Sequence, residues 1–378
     1  MTLETRGLSG VRHLYVHLPF CAHRCGYCDF VTAVGRRDQH GAYVDALLAE
    51  LSLEGGVLAP RDGTIFLGGG TPTFTEPRAL ERLLAALPDA DEVTVEANPE
   101  TVTPELARLL SRNRVNRVSI GAQSFQAPLL SVLERHAQPE DVRRSVHVLR
   151  AAGFENISLD LIYGIPGQRP ADLEADLAEA LELAPEHLSC YELEAKPGTR
   201  FTHAHGAELE RQADSMETYF ERVVETVTAA GYRWYETANF CRLKEGRDLR
   251  ARHNLGYWLG RDYLGLGVGA VSTIDGLRRR NTPRLAAYVG ALAERRRPER
   301  ELEPLDDGVR RAERLLLGLR LDEPVRLEGL DGALDHDALE RLERLGLAER
   351  NGVNGDETLV LTERGRFLGG GVTADLLA

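Results

Sequence analysis

Cys21, Cys25 and Cys28 stand in a C-x3-C-x2-C spacing within YVHLPFCAHRCGYCDF, residues 15–30. Thiolates this close together can converge on one metal centre. Zinc usually takes four protein ligands arranged in pairs, and no second pair follows within range. Soft thiolates favour an iron–sulfur cluster instead. Three ligands on a four-iron cluster leave one iron open, and an open iron can chelate a small molecule. The other two cysteines, Cys190 and Cys241, read as small buried apolar residues.

The elements that must hold this loop can be read outward from it. Leu14 to Phe20 is a short apolar run that predicts a strand leading into Cys21. Tyr43, Val44, Leu47, Leu48 and Leu51 then recur at helical spacing. Thr64 to Leu67 runs into Gly68-Gly69-Gly70-Thr71-Pro72, a strand followed by a loop that permits close backbone approach. Helices are predicted over 77–87, 104–110, 141–152 and 171–183. Between them lie strands over 93–98, 117–123, 157–163 and 188–193. Such alternation means a parallel sheet. About six β-α units, too few for a closed eight-unit barrel, predict an α/β fold: an open, partial (β/α)6 barrel.

Side chains alternate across a strand. Leu14, Val16, Leu18, Val93, Val95, Val118, Ile120, Ile157, Leu159 and Leu161 form the face expected to pack on helices. Tyr15, His17, Thr94, Glu96, Asn98, Ser119, Gln123, Ser158 and Asp160 form the other, facing the interior. Barrel interiors are normally filled by branched apolar residues, so two carboxylates there need a polar ligand or water. A ligand site at the C-terminal ends of the strands is the stronger reading.

Past the barrel, residues 212–230 predict an amphipathic helix and residues 232–240 a strand. His253-Asn254-Leu255-Gly256-Tyr257-Trp258 follows, then the glycine-punctuated run DYLGLGVGAVST. Residues 295–307, charged and proline-bearing, read as a linker, and Arg278–Arg280 as a solvated face. Helices over 309–321 and 336–345 with a strand over 358–362 suggest a small winged-helix-like C-terminal domain. The expected division is 1–240 for the barrel, 241–300 for the extension containing HNLGYW, and 301–378 for the C-terminal domain.

Composition bounds the function. With 378 residues, 43% hydrophobic and 28% charged, the chain is of globular type and exceeds one average domain. A formal charge of −13 argues against nucleic acid as partner, as does the acidic character of the candidate recognition helix in DHDALERLERLGLAER. Only Lys196 and Lys244 are lysines, read here as a compositional bias without function. The N-terminus has no apolar core of signal-peptide length and no run approaches a membrane span, so the expected location is the cytoplasm, whose reducing conditions suit iron-holding thiolates.

The motif with Tyr27 before its last cysteine resembles the signature of radical S-adenosylmethionine (SAM) proteins. YVHLPF and YCDF narrow the resemblance to the group holding oxygen-independent coproporphyrinogen III oxidase and the HemW-type haem chaperones. The resemblance implies a [4Fe–4S] cluster on the three cysteines, with SAM on its open iron. It places Tyr15, Gly69, Gly70, Thr71 and Glu96 at SAM, and Tyr27, Gln123, Arg135 and Asp160 where the oxidase holds a second SAM. HNLGYW resembles the H-N-x-x-Y-W element of the chaperones, with His253 the candidate haem contact; a loop with a packed Trp and a capping His is the alternative.

Two departures separate the group's members. Residue 30 is Phe where the oxidase has a further Cys, and only 14 residues precede Tyr15 where the oxidase carries a longer segment. Both point to the chaperone, which implies haem as cargo and haem-accepting proteins such as respiratory enzymes as partners. A homodimer and at most peripheral membrane contact go with that reading. The alternatives are the oxidase itself, or a related two-SAM enzyme for methyl transfer or haem opening.

Overall fold

A computed structural model describes residues 10–59, 63–196, 199–352 and 356–378. Residues 1–9, which entered the expectation of no export signal, lie outside them. The barrel strands are β1 (His13–Leu18), β2 (Thr64–Gly69), β3 (Glu92–Ala97), β4 (Arg117–Gln123), β5 (Ile157–Tyr163) and β6 (His187–Glu192). They pair side by side in that order, all parallel. The predicted α/β partial barrel is the fold observed.

The intervening helices are α1 (His40–Glu54), α2 (Pro77–Ala86), α3 (Pro104–Arg112), α4 (Pro139–Ala151) and α5 (Pro170–Glu182). Four of the five begin on a proline, whose fixed φ suits the first helical position and whose missing N–H costs nothing there. Side-chain oxygens of Glu76 and Thr103 cap two of these starts. The apolar strand face and the inward faces of the helices form one core, including Val16, Leu18, Leu67, Val95, Val118, Ile120 and Leu159. Cys190 and Cys241 are buried apolar residues, as expected.

Beyond β6 the chain departs from expectation in places. The helix predicted over 212–230 is α7 (Met216–Ala229), preceded by an unforeseen α6 (Arg200–Gln212). Only Phe201 of α6 is buried, so α6 carries little apolar periodicity to read. Residues 232–240 are not one strand but a hairpin, β7 (Tyr232–Glu236) and β8 (Asn239–Arg242). HNLGYW is helical, inside α8 (Arg252–Trp258).

Three further strands, β9 (Tyr263–Leu266), β10 (Val271–Ile274) and β11 (Leu277–Asn281), extend the sheet from the free edge of β1; helix α9 (Leu285–Ala293) follows them. Strand β12 (Arg300–Pro304) falls within the stretch read as a linker. It lies exposed at the sheet edge, opposite the arginines of β11: Arg278 faces Glu303 and Arg280 faces Glu301. Cross-strand charge, not apolar alternation, makes this pair, so no strand pattern shows in its composition. The order across the twelve-stranded sheet is β12-β11-β10-β9-β1-β2-β3-β4-β5-β6-β8-β7.

The C-terminal residues form α10 (Asp307–Gly318), α11 (His336–Arg344) and a three-stranded sheet of β13 (Val325–Arg326), β14 (Ala348–Asn351) and β15 (Thr358–Leu361). They bury their own cluster, with Leu315, Leu330, Leu339, Leu359 and Leu376 at its centre. No helix among the described residues is long and apolar enough to cross a membrane.

Candidate cluster and cofactor site

The cysteine loop is closed on itself: Phe20 and Cys21 pair in parallel with Ala33 and Val34 at the C-terminal rim of the barrel. His17 braces it from below. Its Nε2–H donates to the Val31 carbonyl (2.8 Å), and its Nδ1 accepts from the Tyr15 hydroxyl (2.9 Å). Burial lowers the His17 pKa, which keeps the ring neutral in that role.

The glycines are required by contact. Gly69 has φ 113°, and a Cβ there would stand 2.5 Å from His17 Cε1. A Cβ on Gly70 would stand 2.5 Å from the Pro19 carbonyl and 3.0 Å from Cys21 Sγ. Bare backbone is all that fits beside the sulfur.

These parts surround a cavity of about 530 Å³. Cys21, Cys25, Cys28 and Tyr27 reach it from the loop, Gly69, Gly70 and Thr71 from the end of β2, and Glu96 and Asp160 from β3 and β5. Gln123 and Arg135 arrive from the end of β4 and beyond it. A register shift between Gly121 and Gln123, with Gln123 at φ 65°, marks an irregularity of the kind that re-aims a side chain at a site.

Polar contacts converge on the loop sulfurs and on the two carboxylates of this cavity. Arg135 Nη1 lies 3.6 Å from Cys25 Sγ, and its Nη2 donates to the Gly121 carbonyl (2.8 Å) and to Asn98 Oδ1 (3.1 Å). The Thr71 hydroxyl donates to Cys21 Sγ at 3.5 Å. Burial pushes the Cys21 thiol up to about 11 and raises Cys28 too, so a metal must displace protons to take these sulfurs. No three His, Cys, Asp or Glu side chains among the described residues are gathered for a single ion. A four-iron cube takes each thiolate on a different iron, so three loop cysteines lining one cavity can serve it together.

Glu96 Oε2 accepts from Gly69 N at 3.1 Å. Burial, then the Asp160 carboxylate, raises the Glu96 pKa to about 7, with the Gly69 N–H and Arg117 opposing. What surface Glu96 exposes opens on the cavity deep in the barrel, where solvation is poor. Burial also raises Asp160, against Arg117 and the Ser119 hydroxyl, which donates to both its oxygens at 3.1 and 3.2 Å. Two carboxylates that resist ionisation side by side are suited to a cationic ligand.

Two expected site residues are not on this wall. Tyr15 spends its hydroxyl on His17 and stacks on Phe66. His253 is buried at the opposite end of the strands, with Nδ1 2.8 Å from Thr64 Oγ1 and Nε2 3.0 Å from the Tyr257 hydroxyl. Both ring nitrogens are engaged, and His253 lines neither of the two large cavities among the described residues. Residues not expected at the site also line it, His23, Tyr191 and Lys196, together with Asn98, which belongs to the interior-facing set of strand residues. Asn98 links Thr71 to Arg135. Its signal was its place in VEANPE beside Glu96; for Lys196 the signal was rarity, since it is one of only two lysines.

Comparison with known proteins gives the family. The Radical SAM superfamily model matches residues 15–180. The heme chaperone HemW of Bacillus subtilis is 34% identical over 95% of this chain and 97% of its own length. That of Mycobacterium tuberculosis is 35% identical over 96% and 94%, and that of Escherichia coli 38% identical over 68% of each. A solved structure of Escherichia coli coproporphyrinogen III oxidase, HemN, covers 98% of this chain and 91% of that one with a TM-score of 0.79; at 22% identity it shows the fold. The cofactors of the matched superfamily are a [4Fe–4S] cluster and SAM. On whole-length likeness and on the matched barrel together, the chain belongs to the radical SAM superfamily and, within it, to the HemW group.

Proposed function

We propose that this chain is a haem chaperone of the radical SAM type, holding a [4Fe–4S] cluster on Cys21, Cys25 and Cys28, binding SAM beside it, and passing haem to acceptor proteins. The observation that carries the reading is the near-complete coverage of relatives named heme chaperone HemW. The single cavity that gathers the loop cysteines with the polar strand ends supports it. Together the bound cluster and SAM supply one-electron chemistry. The chain's own residues bind and orient: Gly69, Gly70 and Thr71 present backbone to the ligand, Glu96 accepts from an ammonium or hydroxyl, and Arg135 offsets charge at Cys25.

The oxidase is the second reading, favoured by the fold shared with HemN and by Gln123, Arg135 and Asp160 on the cavity wall. Phe30 in place of the oxidase's further Cys stands against it. Anaerobically reconstituted protein, titrated with haem and then given coproporphyrinogen III and reductant, separates the two. Haem binding without decarboxylation is the expected result. Conversion to protoporphyrinogen IX would make the chain an oxidase.

A further inference from the structure

A second cavity, of about 570 Å³, lies between strands β9–β11, the C-terminal end of α8 and helix α10. We infer that it receives the carboxylate edge of a flat apolar ligand, which on the proposed haem-chaperone function is the propionate edge of haem. Arg261, Arg278, Arg310, Arg311 and Arg314 line it, against the acids Asp262, Asp307 and Glu313. In a chain of net charge −13 this is a local reversal of sign. The cluster cavity has the opposite balance, five carboxylates to three cationic side chains.

Three of these arginines are already occupied. Arg278 Nη2 reaches both Glu313 oxygens at 2.7 and 2.8 Å. Arg314 donates to the Glu328 and Arg326 carbonyls. Arg310 stands 3.9 Å from Asp307. Arg261 and Arg311 enter no ion pair among the described residues, and Arg311 Nε is buried without a hydrogen-bond partner. An unmet buried donor is costly, and a carboxylate fills the guanidinium fork with two acceptors at once.

Beside these arginines the wall is apolar. Tyr257 and Tyr263 meet edge to face at 4.6 Å, and Leu259, Leu305 and Leu317 complete the surface. Leu259 is 44% exposed, an apolar side chain left for something to cover. Free guanidinia next to leucine and tyrosine suit a hydrophobic plate ending in carboxylates better than a small inorganic anion, and the volume is in the range of small-ligand pockets.

The test titrates the full chain with ferric haem and with haem dimethyl ester, whose carboxylates are blocked, in wild type and in Arg261→Ala/Arg311→Ala, with melting curves to confirm folding. The double variant should bind haem about 10- to 100-fold more weakly, as the loss of charge-assisted bonds implies. The ester should bind wild type and variant alike, both at that weaker level. The wild-type arm needs no substitution, so it decides even if the variant fails to fold. Equal affinity of wild type for haem and ester, an unchanged double variant, or ready displacement of haem by inorganic phosphate would each overturn the inference and leave the chaperone reading standing. Wild type that binds no haem would overturn both.

Discussion

At the C-terminal ends of the strands, Glu96 and Asp160 look into a cavity, Glu96 held by the Gly69 N–H and Asp160 by serine hydroxyls. At the N-terminal ends, the Glu92 carboxylate meets the backbone start of α8 and the His253 ring sits between Thr64 and Tyr257, so both have the partners they need. Glu92 accepts from the backbone N–H groups of Arg252 and His253, both at 3.0 Å, and so caps α8 across the bottom of the barrel. Thr64 Oγ1 lies 2.8 Å from His253 Nδ1 and 2.8 Å from His13 Nδ1. His187 joins Ser158 and Tyr235 in the same layer. Carboxylates, imidazoles and hydroxyls occur at both ends. Residue type does not separate chemistry from architecture here; an open cavity does, since the floor too holds a buried atom without a hydrogen-bond partner, His13 Nε2.

The comparison breaks first at the cysteines. Cys21→Ala, Cys25→Ala or Cys28→Ala should each abolish the cluster, read as loss of iron and of visible absorbance after anaerobic reconstitution. Cys190→Ala should keep it. A Cys25→Ala protein with full iron content would sink the assignment of the upper end.

The floor should show its effect in stability alone. Glu92→Ala leaves two helix-start N–H groups unpaired in a buried site and should cost about 2–4 kcal/mol in urea unfolding. His253→Ala removes a ring 1% exposed and two hydrogen bonds, for a loss of about the same size. Burial, then His13 and Arg117, lowers the His253 pKa to about 3, so the unfolded chain binds a proton that the buried ring does not; the contribution of His253 to stability should rise with pH up to the unfolded imidazole value of 6.5 and level off above it. SAM affinity should be unchanged in both variants. Weakened SAM binding in either one, with the fold intact, would mean that the floor reaches the upper site.

Glu96 offers a sharper contrast, because the upper end should respond to pH. Its pKa is raised to about 7, so the folded state holds this proton more tightly than the unfolded chain. Stability of the ligand-free protein therefore falls as pH rises from the ordinary carboxylate range to about 7. Cation binding runs the other way, since only ionised Glu96 attracts an ammonium. SAM affinity measured by calorimetry should strengthen several-fold from pH 6 to pH 8. Glu96→Gln should bind about tenfold more weakly at pH 8 and lose most of that slope. A wild-type affinity flat in pH would remove Glu96 from direct contact.

How much of this was legible follows from the same distinction. The parallel strands, the helices between them and the apolar face could be read because local pattern and tertiary burial agree there. The wall from Cys21 to Asp160 was legible because a parallel sheet places successive strand ends around one mouth. His253 was not, because HNLGYW reads equally as ligand or as packing. Only the positions of Thr64 and Tyr257, 189 residues and four residues away along the chain, show that its nitrogens are taken. Strand β12 was hidden for a related reason: its partner strand supplies the charges that make it a strand.

Lys196 gives the smallest expected effect and tests where the cavity ends. It lies on the wall near the mouth with Glu194, to which it bonds at 3.2 Å, and both side chains are well exposed. An exposed pair of this kind contributes about 0–1 kcal/mol, since solvent and salt screen it and two long side chains must be ordered to hold it. If the site ends at the strand tips, Lys196→Ala should change SAM affinity less than about threefold, with a salt dependence slightly reduced through lost steering. If the segment after β6 instead closes over the ligand, Lys196 becomes desolvated on binding, and its loss should cost tenfold or more while Glu194→Gln partly restores it. Calorimetry of the two single variants and the double, at low and high salt, separates these outcomes, because only a desolvated lysine keeps its effect when salt is raised.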